Sequence, residues 1–123
     1  MLGVSYRLKK IKGYHNGNYV ILHTMRIISK RTLKEFYEQS SYLDSKSALE
    51  SWHHEVLRVV WNNPNEIKTQ YKSASIVGDN KVVFNISGNK YRLIVKINYM
   101  AGIVFIKFIG THKQYDKIKV EEL

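Results

Sequence analysis

The chain has 123 residues, a formal net charge of +10 at pH 7 and no cysteine. That length suits one hydrophobic core rather than two. The lack of thiols excludes disulfides, thiolate nucleophiles and cysteine-bound zinc, and the cationic excess points to a polyanionic partner. No apolar run approaches the roughly 20 residues that a bilayer-spanning helix needs, and the N-terminus lacks the apolar stretch of a secretory signal. The expected setting is therefore the cytoplasm, with no membrane partner.

Residues 1–24 carry Arg7, Lys9, Lys10 and Lys12 without an acid, then the turn-rich run Gly13-Tyr14-His15-Asn16-Gly17-Asn18. This segment is expected to be an N-terminal extension outside the fold, with a basic RNA-touching arm as the alternative. The domain proper is read as residues 25–123. It opens with a strand over Met25–Ser29, after which Ser29 is placed to cap a helix running to about Ser40, with Leu33, Phe36 and Tyr37 on one stripe. A second helix is expected from Asp44 or Ser45 to just before Pro64, with Leu49, Trp52, Val56, Val59 and Val60 at helical spacing. Pro64 is read as its terminator, and Glu66 to Ser75 as a connection. Gly78-Asp79-Asn80 then turns the chain into a strand over Lys81–Ile86.

Two further strands follow, Tyr91–Ile97 and Ile103–Ile109, joined by a hairpin turn over Tyr99–Gly102. The predicted fold class is α+β: a strand and two helices on one face of a sheet that ends in an antiparallel three-strand meander, then a short C-terminal helix. Because strand side chains alternate between faces, Tyr91, Leu93, Val95 and Ile97 form an apolar face. Arg92 and Lys96 fall on the other. If the next strand buries Val104, Ile106 and Phe108, Lys107 turns to the same side as Arg92 and Lys96. Between Lys81 and Lys119 there are eight Lys or Arg residues against one acid, Asp116. Cations commonly solvate the open face of an antiparallel sheet, yet three on one face, next to His112 and Tyr115, also suit a phosphate.

Metal chemistry has little support. His53 and His54 are adjacent on a helix and point about 100° apart, unlike the i, i+4 pair of a zinc helix. Ser87-Gly88-Asn89-Lys90 lacks the glycine spacing of a phosphate loop and reads as a hairpin turn. No cofactor and no metal ligand are expected.

Val83-Phe84-Asn85-Ile86, Gly88-Asn89-Lys90-Tyr91-Arg92 and above all Gly110-Thr111-His112-Lys113-Gln114-Tyr115-Asp116 resemble the HigB-type toxins of bacterial toxin-antitoxin modules, within the wider RelE-like group. The likeness extends upstream through Trp61-Asn62-Asn63-Pro64 and Tyr71-Lys72-Ser73-Ala74 to about Met25. It implies a RelE-like fold, metal-independent cleavage of messenger RNA on the ribosome, and neutralisation by a HigA-type antitoxin. In such cleavage the ribose 2′-hydroxyl attacks its own 3′-phosphate, so the site must move two protons and hold the charge that develops on phosphorus.

The residues expected to do this are Arg92, whose planar fork grips two phosphate oxygens, and His112, since histidine ordinarily titrates near neutrality. Lys96 and Lys107 would assist or position the backbone, and Tyr115 would stack on a base or lend its hydroxyl. Lys90, Lys113, Asn85, Tyr91 and Asp116 complete the expected RNA contacts, with Asp116 orienting His112 or merely capping the last helix. The rival reading is a non-catalytic, basic RNA-binding or ribosome-associated module that uses the same cations with Tyr91, Tyr99 and Tyr115.

Overall fold

The computed structural model describes residues 24–123 in full, together with the backbone of β1 (Tyr6–Lys10) and β2 (Tyr19–His23), which pair antiparallel as a separate two-stranded sheet. The turn expected at Gly13–Asn18 lies outside the described residues. From Arg26 onward the order is β3 (Arg26–Ile28), α1 (Lys30–Tyr37), α2 (Lys46–Val56), α3 (Pro64–Gln70), β4 (Ser75–Val77), β5 (Lys81–Ile86), β6 (Tyr91–Asn98), β7 (Ile103–Thr111) and α4 (His112–Tyr115). Short 3₁₀ turns cover Ser40–Ser45 and Val120–Glu122. The five strands β3 to β7 form one sheet in the order β3-β7-β6-β5-β4, with β3 parallel to β7 and the other pairs antiparallel. This is the α+β arrangement expected from the sequence.

The apolar stripes decide which face is covered. Leu33, Phe36 and Tyr37 on α1 and Leu49, Trp52 and Val56 on α2 recur at helical spacing and are all buried. They join Val82, Phe84 and Ile86 of β5 and Tyr91, Leu93, Val95 and Ile97 of β6 in one cluster, so the helices lie on that side. Burial of such side chains is the main driving force for the assembly, at about 1.5–3 kcal/mol for each large one.

Several local expectations change: Ser29 precedes α1 without a side-chain capping bond, α1 ends at Tyr37 rather than about Ser40, and β4 adds a strand that was not expected. α2 stops at Val56, well short of Pro64, and Val59 packs against the core from a loop instead. Pro64 starts a helix rather than ending one. The Asn63 side chain accepts from the Glu66 amide at 3.1 Å, and proline at the first helical position gives up only an amide that would lack an intrahelical partner anyway. Finally, β7 carries a bulge: Ile94 pairs with Phe108 but Val95 pairs with Ile106, so Lys107 falls out of the ladder. The extra residue switches the alternation. Val104 and Ile106 face the helices as expected, but Ile109 takes the inward place expected of Phe108, which shares the opposite face with Ile94.

That opposite face is not a uniformly open cationic surface. Lys81 is only 1% exposed, and its Nζ donates to the Val120 carbonyl at 2.9 Å. The C-terminal turn thus lies against the β5 side of the sheet.

Candidate functional site

The start of β6, the end of β7 and α4 meet at one end of the sheet. Antiparallel pairing sets Arg92 of β6 opposite Gly110 of β7 and Asn85 of β5. Arg92 is 8% exposed. Its Nη1 donates to the carbonyls of Asn89 at 3.0 Å and Tyr91 at 3.2 Å, and its Nη2 to Asn89 Oδ1 at 2.8 Å. These bonds hold one end of the planar guanidinium against the β5–β6 turn, with the Tyr115 ring 5.8 Å away, at cation–π distance. Among the described residues, Nε–H and the second Nη2 hydrogen have no protein acceptor. Those two hydrogens lie on a single edge of the group, the edge that grips carboxylate or phosphate bidentately.

His112 begins α4, immediately after β7 ends. The turn is closed by a capping box: Thr111 Oγ1 accepts from the Gln114 amide at 3.1 Å while Gln114 Oε1 accepts from the Thr111 amide at 2.9 Å. The His112 amide donates to the Lys90 carbonyl at 3.1 Å, which fixes α4 against the start of β6. On the exposed side, His112 Nε2 lies 3.6 Å from Asp116 Oδ1. The imidazole is therefore half-exposed and held between a fixed backbone and a carboxylate.

Gln114 also donates to the Tyr42 hydroxyl at 3.3 Å, and Tyr42 stacks on Phe36 of α1. Gly110 makes room for this arrangement. A Cβ there would sit 2.6 Å from Gln114 Oε1 and 2.6 Å from the Phe108 ring. Gln114 cannot retreat without opening the capping box, so Gly110→Ala is expected to lower stability by about 1–3 kcal/mol, read as a drop in thermal midpoint.

Lys90 and Tyr91 are anchored differently from what the sequence suggests. Tyr91 is 1% exposed, packed edge-on to Phe36 and Tyr42, so it offers no face to an RNA base. Its position on the helix-facing side of β6 makes it core. Its hydroxyl donates to Asp44, which also accepts from Lys90. Burial and the Asp44 bond push the Tyr91 phenol up to about 12. Hydrogen bonds from Lys90 and then Tyr91 hold Asp44 below its ordinary carboxyl value of 3.8.

A carboxyl depressed by folding adds stability above its ordinary value and loses it as pH falls through its folded value. Wild type is therefore expected to exceed Asp44→Asn in stability near neutrality, with the gap closing below the ordinary carboxyl range in acid. Denaturant titrations at a series of pH values measure it.

The remaining candidates divide. Lys113 and Asp116 are exposed on and beside α4, and Lys90 is exposed at the turn, all near His112. Asn85 is half-buried opposite Arg92. Lys96 does not join them. It lies four residues along β6, on the order of 13 Å from Arg92, and its Nζ is 2.9 Å from Asp79, which it holds below the ordinary carboxyl range. Lys107 is exposed in the bulge. The single cationic face expected of Arg92, Lys96 and Lys107 is thus drawn out along the sheet, and its compact part is Arg92 with His112, Tyr115 and Asp116.

Sequence reasoning missed Asn89, Gln114, Tyr42 and Asp44. The Thr-x-x-Gln spacing of Thr111 and Gln114 is a legible capping signal, whereas Tyr42 and Asp44 reach the site only through the tertiary fold. Elsewhere, His53 is half-buried and held below its ordinary value by burial first, then by Lys30 and His54, while His54 is exposed. Among the described residues no helix is long and apolar enough to cross a membrane.

Comparison with known proteins bears on this end of the sheet directly. A family model described as "HigB_toxin, RelE-like toxic component of a toxin-antitoxin system" matches residues 45–118, which takes in β5 to β7 and α4. The mRNA interferase HigB of Escherichia coli O6:H1 is 30% identical over 96 residues, covering 76% of this chain and 91% of that protein. The mRNA interferase toxin HigB of Escherichia coli K12 and the mRNA interferase HigB of Shigella flexneri are each 26% identical over 94 residues, covering 75% of this chain and 88% of theirs. The chain belongs to the HigB family, the RelE-like toxic components of toxin-antitoxin systems.

Proposed function

We propose that the protein is an endoribonuclease that cuts messenger RNA on the ribosome without a metal and so arrests translation. It acts in the cytoplasm until a HigA-type antitoxin masks it, and residues 25–123 are the toxin domain. The observation that carries this reading is the meeting of Arg92, His112, Tyr115 and Asp116 at one sheet end, in a chain similar to proteins named mRNA interferases.

The reaction forms a bond from the 2′-oxygen to phosphorus and breaks the bond from phosphorus to the 5′-oxygen. A proton leaves the 2′-hydroxyl and another reaches the departing 5′-oxygen, giving a 2′,3′-cyclic phosphate and a free 5′-hydroxyl. Arg92, through its unfilled edge, holds the oxygens on which charge grows, which is useful only if the donors are already in place. His112 exchanges a proton as general acid or base, oriented by Asp116. Tyr115 packs Arg92 on one side and offers a ring or hydroxyl to the RNA on the other. Lys90 and Lys113 hold neighbouring phosphates.

The experiment is induction of the chain in bacteria, with growth followed and transcript 5′ ends mapped, beside His112→Ala at matched soluble levels. Growth arrest with new 5′-hydroxyl ends inside translated regions, absent in the variant, is the expected result. Normal growth and intact transcripts with the wild type exclude the reading, and RNA binding without cleavage returns it to the non-catalytic module.

A further inference from the structure

Beyond the Arg92–His112 cluster, the sheet face turned away from the helices carries a second feature. Phe105 and Phe108 of β7 pair across the strand with Lys96 and Ile94 of β6, and neither phenylalanine belongs to the helix-side core. Each is half-buried. The Phe108 ring lies over Gly110, which opposes Arg92, so the aromatic strip starts where the cluster ends. Their partners Ile94 and Lys96 are two residues apart, on the order of 7 Å along the strand.

The strip runs into a depression of about 410 Å³ lined by Asn80, Lys96, Asn98, Tyr99, Met100 and Phe105. Met100 is fully exposed at its rim. A half-exposed ring beside a cation on a sheet surface is the means by which single-stranded RNA is held: the ring stacks on a base and the cation takes a phosphate. Asn98 Oδ1 accepts from the Ala101 amide at 2.9 Å, which leaves its amino group to donate to a base edge. Lys96 is half-buried but its partner Asp79 is 66% exposed, so a phosphate replaces the carboxylate at small cost. Lys107 stands exposed in the bulge between the two rings. Charge complementarity and continuity with the cluster both favour RNA over a protein segment as occupant.

We infer that the depression at Phe105 and Lys96 is a nucleotide subsite for the single-stranded RNA next to the cut, reached from the Arg92–His112 cluster across the Phe108 ring. It rests on the reading that this chain cleaves RNA at that cluster. Lys96 here grips a flanking phosphate rather than the reacting one.

The test uses the full chain, with Phe105→Leu and Lys96→Gln first shown to melt as wild type does. Binding is measured to ribosomes programmed with a short messenger whose 2′-hydroxyls are methylated, and then with single bases removed in turn near the cut. Phe105→Leu is expected to weaken binding about 5- to 10-fold. At one position, removal of the base should cost a similar factor in wild type and nothing more in the variant, a coupling that mere destabilisation cannot produce. Lys96→Gln should lower the salt dependence of log affinity by about 0.7.

Full affinity in Phe105→Leu, independent costs at every position, or a loss confined to antitoxin binding each overturns the subsite. Cleavage of unmethylated messenger without coupling sinks the subsite alone. Coupling without cleavage sinks the nuclease reading alone, and failure to bind programmed ribosomes sinks both.

Discussion

Replacing His112 by alanine is expected to slow messenger cleavage by about two to four orders of magnitude, the range that a positioned general acid or base supplies, while ribosome affinity and folding change little. The separation follows from where the residue sits. Its side chain is 51% exposed and its polar neighbour is Asp116, itself at 57%. Truncation at such a place ordinarily moves stability by no more than about 0.5 kcal/mol. The features that hold α4 are the Thr111–Gln114 box and the His112 amide bond to Lys90, all of which survive the substitution. Single-turnover cleavage on programmed ribosomes, with thermal midpoints alongside, gives both numbers. A variant that cuts within about threefold of wild type would remove His112 from the chemistry and pass the proton transfers to another group.

How far the sequence announces this site depends on the kind of signal each residue carries. The C-terminal meander is legible because its strands alternate, its turns carry glycine and asparagine, and its register follows from hairpin geometry. Gly88 and Gly102 do adopt positive φ, at 66° and 69°. Side-chain alternation puts Arg92 and Lys96 on one side of β6 as expected. It fails on β7, because a bulge leaves no mark in the periodicity of Val104, Ile106, Phe108 and Ile109, all apolar and able to point either way.

α3 is missed although Asn63-Pro64-x-Glu66 carries a cap signal, because proline as terminator and proline as first residue look alike until the next turn is known. β4, with three residues, is too short for any period. Exposure is the property that sequence carries least well. Lys81 and Arg92 read as surface residues by type, but Lys81 is covered by the C-terminal turn and Arg92 is tied to the β5–β6 turn, while Tyr91, placed on the apolar face yet also among the RNA contacts, is core with its hydroxyl on Asp44. Each of these outcomes rests on a partner distant in the chain or on a backbone carbonyl.

Arg92→Lys gives the second large effect, because two roles meet in one side chain and the substitution separates them. The Asn89 and Tyr91 carbonyls and Asn89 Oδ1 take three of its hydrogens. A lysine keeps the charge but cannot fill three acceptors in one plane and still present two donors on the opposite edge. Arg92 is 8% exposed but Asn89 is open to water, so losing these bonds should cost about 0.5–1.5 kcal/mol of stability. The lost fork should cost about 100- to 1000-fold in the cleavage step, the price of removing a preorganised donor from a developing oxyanion.

Substitution of Asn89 by alanine supplies the control, since it loosens the same anchor while leaving the guanidinium in place. If Arg92 is only a brace for the turn, both variants lose similar stability and both keep most of the cleavage rate. If its free edge holds the phosphate, Arg92→Lys falls far below Asn89→Ala in rate at equal stability. Urea denaturation paired with single-turnover cleavage decides between them, because a brace acts through the folded fraction and a phosphate grip acts through the transition state.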